Sequence, residues 1–169
     1  MSKECSILIV GLGRIGFGYD ANKKKNSPPR SHLIAALENN SFSKIHGVEV
    51  NSQLRAQIKN EISDPRICIS ERIPIDKRFD VAVVSTPSEI REEVIKEIIK
   101  CDLKILIIEK PLSLNLAEAV RIKRITQTED IEVRINFHRR FDDQYLSLKP
   151  LLTKEQPKLI LMKYKQYLL

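Results

Sequence analysis

No apolar run in this sequence approaches the roughly 20 residues that a membrane-spanning helix needs. Met1-Ser2-Lys3-Glu4 leads into a strand pattern rather than a secretory signal. The expectation is a cytoplasmic protein that does not enter a membrane. Cysteine is scarce: Cys5, Cys68 and Cys101 are odd in number and lie far apart in or beside apolar segments. They form neither a Cys-x-x-Cys pair nor a Cys/His spacing suited to zinc, so they read as reduced, structural thiols, and no metal site is expected. No internal repeat is present.

What is there fits one domain of ordinary size: 169 residues, 42% hydrophobic and 30% charged. A formal charge of +7 raises the question of nucleic acid, because clustered Lys and Arg neutralise phosphates. The distribution argues against it. Lys23-Lys24-Lys25 is one short cluster in a Gly/Asn/Pro-rich loop, and the other basic residues lie mostly on helix faces mixed with Glu. No nucleic-acid partner is expected, and the basicity favours acidic ligands such as a dinucleotide or a nucleotide-linked sugar.

Short runs rich in Ile and Val alternate with longer amphipathic stretches. This is the pattern of an α/β fold with a parallel sheet covered on both faces. Strands are predicted over 6–10, 44–49, 66–70, 80–85, 104–108 (fully buried) and 132–137. A helix should start within 13–17 and be interrupted or followed by a polar loop over 18–30, where Pro28-Pro29 forbids helix. It resumes over 31–39 with Ser31 as N-cap. Further helices are predicted over 52–61, over 89–100 with Ile90, Val94, Ile95, Ile98 and Ile99 at helical spacing, and over 115–126. The last turns Leu116, Ala119, Val120 and Ile122 to Ile125 in part to the sheet. Beyond the sixth strand the pattern changes to a short helix over 142–152 and one long strand over 158–168. The expected division is a dinucleotide-binding domain over 1–141, with 142–169 the linker helix and first strand of a truncated α+β substrate domain. An unpaired terminal strand calls for another copy to cover it, hence a homo-oligomer.

Gly11-Leu12-Gly13-Arg14-Ile15-Gly16 follows the first strand directly and opens a helix, the context that gives a G-x-G-x-x-G pattern its meaning. Gly11 permits a tight turn, Gly13 lets a pyrophosphate approach the backbone, and Gly16 allows close helix-strand packing. The competing reading is a glycine-rich turn without a ligand. Glu49 ends the second strand, where a carboxylate can accept both hydroxyls of an adenosine ribose. It lies further on than the usual spacing of about 20 residues, and the loop over 18–30 accounts for the excess as an insertion. An acid here repels a 2'-phosphate and favours NAD, while Arg55 and the lysine loop leave NADP open. An ordinary solvated glutamate is the alternative.

At the ends of the fourth and fifth strands stand Ser85-Thr86-Pro87 and Glu109-Lys110-Pro111, the crevice where an open α/β sheet binds its ligands. Pro111 biases Lys110 toward an extended backbone that would aim its ammonium into the crevice. There it could polarise a hydroxyl or carbonyl during hydride transfer. The plainer reading is a surface lysine paired with Glu109.

Glu109-Lys110-Pro111, the Gly11 to Gly16 fingerprint, Ser85-Thr86-Pro87, and Asn136-Phe137-His138-Arg139-Arg140-Phe141 after the sixth strand occur in the order of a known family. In these motifs the chain resembles the glucose-fructose oxidoreductase, inositol dehydrogenase and MocA family over residues 6–169. The resemblance implies a two-domain NAD(P)-dependent oxidoreductase acting on sugars, polyols or nucleotide sugars, with a Rossmann domain followed by an open antiparallel sheet. By the same resemblance, Lys110 lies near nicotinamide and substrate, and Asn136, His138 and Arg140 line that crevice. His32 matches a first-helix histidine of the family or is a capping or core histidine, and His46 has no role.

The departures from the family are informative. Its usual proton-transfer histidine, often in a D-x-x-x-H arrangement, belongs to the substrate domain, so an alcohol oxidation has no obvious proton acceptor here. His138 is carried as the candidate substitute beside Lys110. The long loop over 18–30 resembles a branch found among polysaccharide-related enzymes, which points to a nucleotide-sugar or acidic-sugar substrate. The other reading is a catalytically silent dinucleotide-binding module.

Overall fold

The computed structural model describes residues 5–21, 27–143, 146–147 and 149–150. The chain divides into two compact units, Met1–Asn136 and Phe137–Leu169. In the first, six parallel strands form one sheet: β1 (Cys5–Val10), β2 (Phe42–Val48), β3 (Ile67–Ser70), β4 (Arg78–Val84), β5 (Asp102–Glu109) and β6 (Glu132–Asn136). Their order is β3-β2-β1-β4-β5-β6, so the direction of winding reverses between β1 and β4. This is the doubly wound Rossmann arrangement expected from the alternation of runs.

Because successive strand residues point to opposite faces, each strand feeds two cores. Leu8, Val10, Ala82, Val84, Leu106 and Ile108 pack under Ile95 and Ile98 of α3 (Arg91–Ile98) and Ile122 of α4 (Leu116–Thr128). Ile7, Ile9, Ile45, Ile69 and Val83 pack under Leu33 and Ala36 of α1 (His32–Glu38) and Ile58 of α2 (Ser52–Glu61). The two-sided coverage explains why strands read as continuous apolar runs rather than alternating ones. β5 departs from the expectation of full burial. Asp102 and Lys104 at its start are exposed, and Lys104 is ion-paired with Asp80 of β4.

The helix expected over 13–17 is a single turn. Phe17 N–H donates to the Gly13 carbonyl at 2.9 Å and Tyr19 N–H to that of Arg14 at 2.8 Å, and a 3-10 turn follows at Gly18–Asp20. The ladder is then taken up from elsewhere: His32 N–H donates to Ile15 O at 3.1 Å and Leu33 N–H to Gly16 O at 2.9 Å. Residue 32 therefore stands where residue 19 of an unbroken helix would stand, and 13 residues are looped out of it. Asp20 closes the base of the excursion, accepting from Arg30 N–H at 2.8 Å, Ser31 N–H at 2.7 Å and Ser31 Oγ–H at 2.6 Å. Ser31 occupies the N-cap position, but its side chain makes no capping bond. Its hydroxyl is spent on Asp20, and the Ile15 and Gly16 carbonyls serve the helix in its place.

Two further expectations change. Ile90 is exposed, and Arg91 takes the buried place at the head of α3. On α4, Leu116 and Val120 face outward while Glu118, Ile122 and Thr126 face the sheet. The reason is the cap. Asn115 Oδ1 accepts from Glu118 N–H at 2.9 Å and Glu118 Oε2 from Leu114 N–H at 3.2 Å, a capping-box arrangement that turns Glu118 inward and sets the helix's rotation. In the second unit a 3-10 turn covers His138–Phe141, and Leu146 N–H donates to Asp142 O at 2.9 Å. The strand expected over 158–168 lies outside the described residues.

Candidate functional site

The reversal of strand order leaves a crevice past the C-terminal ends of β1 and β4. Gly11 turns the chain there with φ +90°, and a Cβ on it would sit 3.0 Å from the Ser85 carbonyl carbon and Thr86 nitrogen. Ser85 fixes that approach by donating its hydroxyl to Gly11 O at 2.7 Å and its N–H to Val10 O at 2.9 Å. Gly16 is needed for closure, since a Cβ on it would lie 2.1 Å from Gly11 O. Gly13 is different. A Cβ there would meet nothing within 4 Å, so the fold does not require a glycine at that place. Arg14 is exposed with its guanidinium 5.1 Å from the centre of the Tyr19 ring, and Ile15 is half-buried above its own carbonyl bond to α1.

Glu49 stands immediately after β2 and reaches into the glycine turn. Its Oε2 accepts from Leu12 N–H at 2.9 Å and its Oε1 from Asn51 N–H at 2.9 Å. Each carboxylate oxygen keeps a further lone pair. Arg55, on α2, is committed to its neighbours: its guanidinium donates to Glu49 O at 2.7 Å, Val50 O at 2.8 Å and Glu71 Oε2 at 2.8 Å.

Further along the same edge, Glu109 ends β5 as a buried carboxylate. His32 Nε2 lies 2.9 Å from its Oε1, and Asn136 Nδ2, at the end of β6, donates to the same oxygen. Burial pushes the Glu109 carboxyl up, but the hydrogen bonds from His32 and Asn136 outweigh it and hold the group below its usual range. His32 is thereby placed in the crevice edge rather than in a cap. Lys110 is exposed and its ammonium has no partner among the described residues, so the pairing with Glu109 is not what the structure shows. The Lys110–Pro111 peptide is cis. Thr86 is buried, and its Oγ1 has no hydrogen-bond partner among the described residues, whereas Pro87 is exposed.

The residue that sequence reasoning missed is Arg91. It is buried, and its guanidinium donates to Thr86 O at 2.6 Å, Glu109 O at 2.8 Å and Pro111 O. A signal existed: Arg91, Ile95 and Ile98 stand at i, i+4 and i+7, so the wheel that buries the two isoleucines buries the arginine too. The hydrophobic pattern alone puts Ile90 in that stripe, and the structure leaves it exposed. His138 and Arg140 belong to the second unit, in its 3-10 turn. His46 pairs with Ser70 Oγ at 2.8 Å and meets Phe79 edge-on inside the sheet. No cluster of three or more His, Cys, Asp or Glu able to hold a metal occurs among the described residues.

A turn open at Gly13, an acid just after β2, and polar strand ends across the switch point therefore lie along one end of the sheet. A family profile described as an oxidoreductase family with an NAD-binding Rossmann fold matches residues 5–137. The chain belongs to this GFO_IDH_MocA oxidoreductase family. This family member is 32% identical over 156 residues to an inositol 2-dehydrogenase of Mycolicibacterium gilvum, covering 88% of this chain and 40% of that protein. It is 28% identical over 141 residues to the myo-inositol 2-dehydrogenase of Thermotoga maritima, covering 83% and 38%. Its fold superposes on the crystal structure of myo-inositol 2-dehydrogenase from Lactobacillus plantarum with TM-score 0.70 at 21% identity, over 91% of this chain and 42% of that one. The chain thus spans about two fifths of the length of these relatives. No helix among the described residues is long and apolar enough to cross a membrane.

Proposed function

We propose that this chain holds NAD at the β1/β4 switch point and serves the oxidation or reduction of a sugar, polyol or nucleotide sugar. The observation that carries the reading is the bare Gly13 surface between Gly11, which is forced by its φ, and Gly16, which is forced by packing. A glycine that the fold does not need is explained by a pyrophosphate that does need it. Arg14 and Ile15 complete the turn, Glu49 receives the adenosine ribose, and Ser85, Thr86, Pro87, Glu109 and Asn136 border the nicotinamide end. The buried Thr86 hydroxyl without a partner fits a ligand that brings one.

Glu49 sets the choice of dinucleotide. Its carboxylate accepts from ribose hydroxyls and repels a 2'-phosphate, and Arg55, the cation that could offset that repulsion, is engaged with two carbonyls and Glu71. NAD is therefore favoured over NADP. When bound, the nicotinamide supplies the hydride acceptor or donor. The chain's own part is to orient and to move a proton. Lys110, with a free ammonium at the end of β5, hydrogen-bonds the reacting oxygen, and His138 is the candidate proton acceptor. The relatives named inositol 2-dehydrogenases support a polyol as the substrate class. We place the cofactor domain at 1–141 and the start of the substrate domain at 142–169, in a cytoplasmic protein that assembles with copies of itself through its terminal segment.

A panel of inositols, sugars and nucleotide sugars, followed by nicotinamide absorbance in the unmodified chain and Lys110→Met, tests this reading. The expected result is turnover that Lys110→Met lowers about 10²-fold or more, the scale of a lost proton-transfer or orienting group. Dinucleotide binding without turnover on the whole panel would replace the enzyme with a binding module.

A further inference from the structure

We infer that Arg91 is a positioning residue for Lys110: its buried guanidinium straps the backbone on both sides of that lysine to the end of β4. The inference rests on the reading of Lys110 as the group that meets the substrate. One terminal nitrogen of Arg91 donates to the carbonyls of both Glu109 and Pro111, the residues directly before and after Lys110, and the other donates to Thr86 O at 2.6 Å. Three main-chain oxygens from two strand ends thus converge on one planar cation.

The chemistry explains why an arginine stands there. Each of the three acceptors is a carbonyl, and a guanidinium is the side chain that presents several donors in a fixed fork while remaining charged when buried. Burial pulls its pKa down, and Glu109, Glu118 and Glu89 offset this only through space. Among the described residues no carboxylate hydrogen-bonds the group, and its Nε has no partner. A cation buried at that cost, with the carbonyls flanking Lys110 as its ligands, is not explained by neutralising an acid. It is explained by what it immobilises. The Glu109 carboxylate is fixed separately by His32 and Asn136, so the backbone at both flanks of Lys110 and the side chain before it are all held. The Lys110 side chain itself has no partner among the described residues, on a base tied by hydrogen bonds to Thr86.

Three measurements on the full chain test this. In the unmodified protein, the Nη protons of Arg91 should exchange and rotate slowly by ¹⁵N-resolved NMR, as expected of a guanidinium bonded to three carbonyls. A freely averaging signal would overturn the inference, and this arm needs no substitution. In Arg91→Lys, and in Arg91→Met if the first does not fold, amide exchange in the 109–113 segment should rise about tenfold or more while β1 and β2 stay protected, because only the strap has been cut. Unchanged exchange at 109–113 would overturn it. Finally, NADH but not ADP-ribose should protect Lys110 from acylation in the unmodified chain. Arg91→Lys should lose that protection about fivefold or more, with NADH affinity kept within about threefold, since the glycine turn and Glu49 are untouched. Retained protection in Arg91→Lys would overturn the inference. If NADH binds the unmodified chain without protecting Lys110, the reading of Lys110 fails instead, and the exchange arm alone decides the strap.

Discussion

Gly13 is where the fold and the proposed ligand make separable demands. A Cβ there meets nothing within 4 Å, whereas one on Gly16 would sit 2.1 Å from the Gly11 carbonyl oxygen. Gly13→Val should therefore melt close to the unmodified chain and yet lose dinucleotide binding. Gly16→Ala should cost about 3 kcal/mol or more, the scale of forced overpacking against backbone. Thermal melts of the two variants check the contrast, and equal destabilisation would contradict it. On the proposal that Glu49 meets the adenosine ribose and disfavours a 2'-phosphate, Glu49→Gln should lower a preference for NAD over NADP about tenfold or more by titration. Gly11 and Gly16 could be read from the sequence because each answers a backbone requirement that only glycine meets, and Gly13 because it completes the spacing between them. Arg91 shares the buried spacing of Ile95 and Ile98, but a buried arginine bound to carbonyls runs against the expectation that a charge on an amphipathic helix faces water, so the spacing alone does not single it out.

At the scale of elements, α1 and the glycine turn are one helix broken by an excursion. With residue 32 hydrogen-bonded as residue 19 would be, deletion of residues 19–31 should join Gly18 to His32 without moving the sheet. Asp20, Arg30 and Ser31 leave together, so no buried acid is orphaned. The shortened chain should fold and still bind NAD, at a cost of about 1 kcal/mol for a glycine inside a helix; failure to fold would show that the excursion is part of the core. Polar composition and Pro28-Pro29 announced the insertion, while the rejoining of its ends is a tertiary hydrogen-bond pattern with no local signature. The extents of the strands were legible to within two residues at their ends, since each apolar run stops where the two cores stop. The rotation of α4 was not, because the cap that turns Glu118 inward overrides the hydrophobic count of Leu116 and Val120.

At the opposite, N-terminal end of the strands, Asp80 of β4 ties three of them together. It is ion-paired with Lys104 of β5 and accepts from Ser6 N–H of β1 at 2.9 Å and Ser6 Oγ–H at 3.0 Å. The Lys104 ammonium first, then the Ser6 amide, hold its carboxyl down at about 2. A folded-state pKa below the unfolded value of 3.8 means that the contribution is complete above about pH 4 and is lost as pH falls toward about 2. Asp80→Asn should cost on the order of 1–2 kcal/mol at pH 7, and the gap between variant and unmodified chain should close near pH 2. Denaturation as a function of pH reads this directly, and a gap independent of pH would contradict it.

For the whole molecule, both faces of the sheet are covered and the proposed ligand edge lies at the reversal of strand order between β1 and β4. Alternating strand and helix runs were enough to foresee that architecture, and the structure puts Gly11, Ser85, Glu109 and Asn136 at the ends of β1, β4, β5 and β6. The substrate was not legible, because the chain spans about two fifths of the relatives it resembles. The central claim is that this edge binds NAD through the bare turn at Gly13. Calorimetric titration of the chain with NAD, NADH and NADP, repeated on Gly13→Val, tests it most directly. One site per chain for NAD and NADH, weaker binding of NADP, and loss of binding in a Gly13→Val protein that still melts normally is the predicted result. No binding by the folded unmodified chain, or binding that Gly13→Val leaves unchanged, would contradict it.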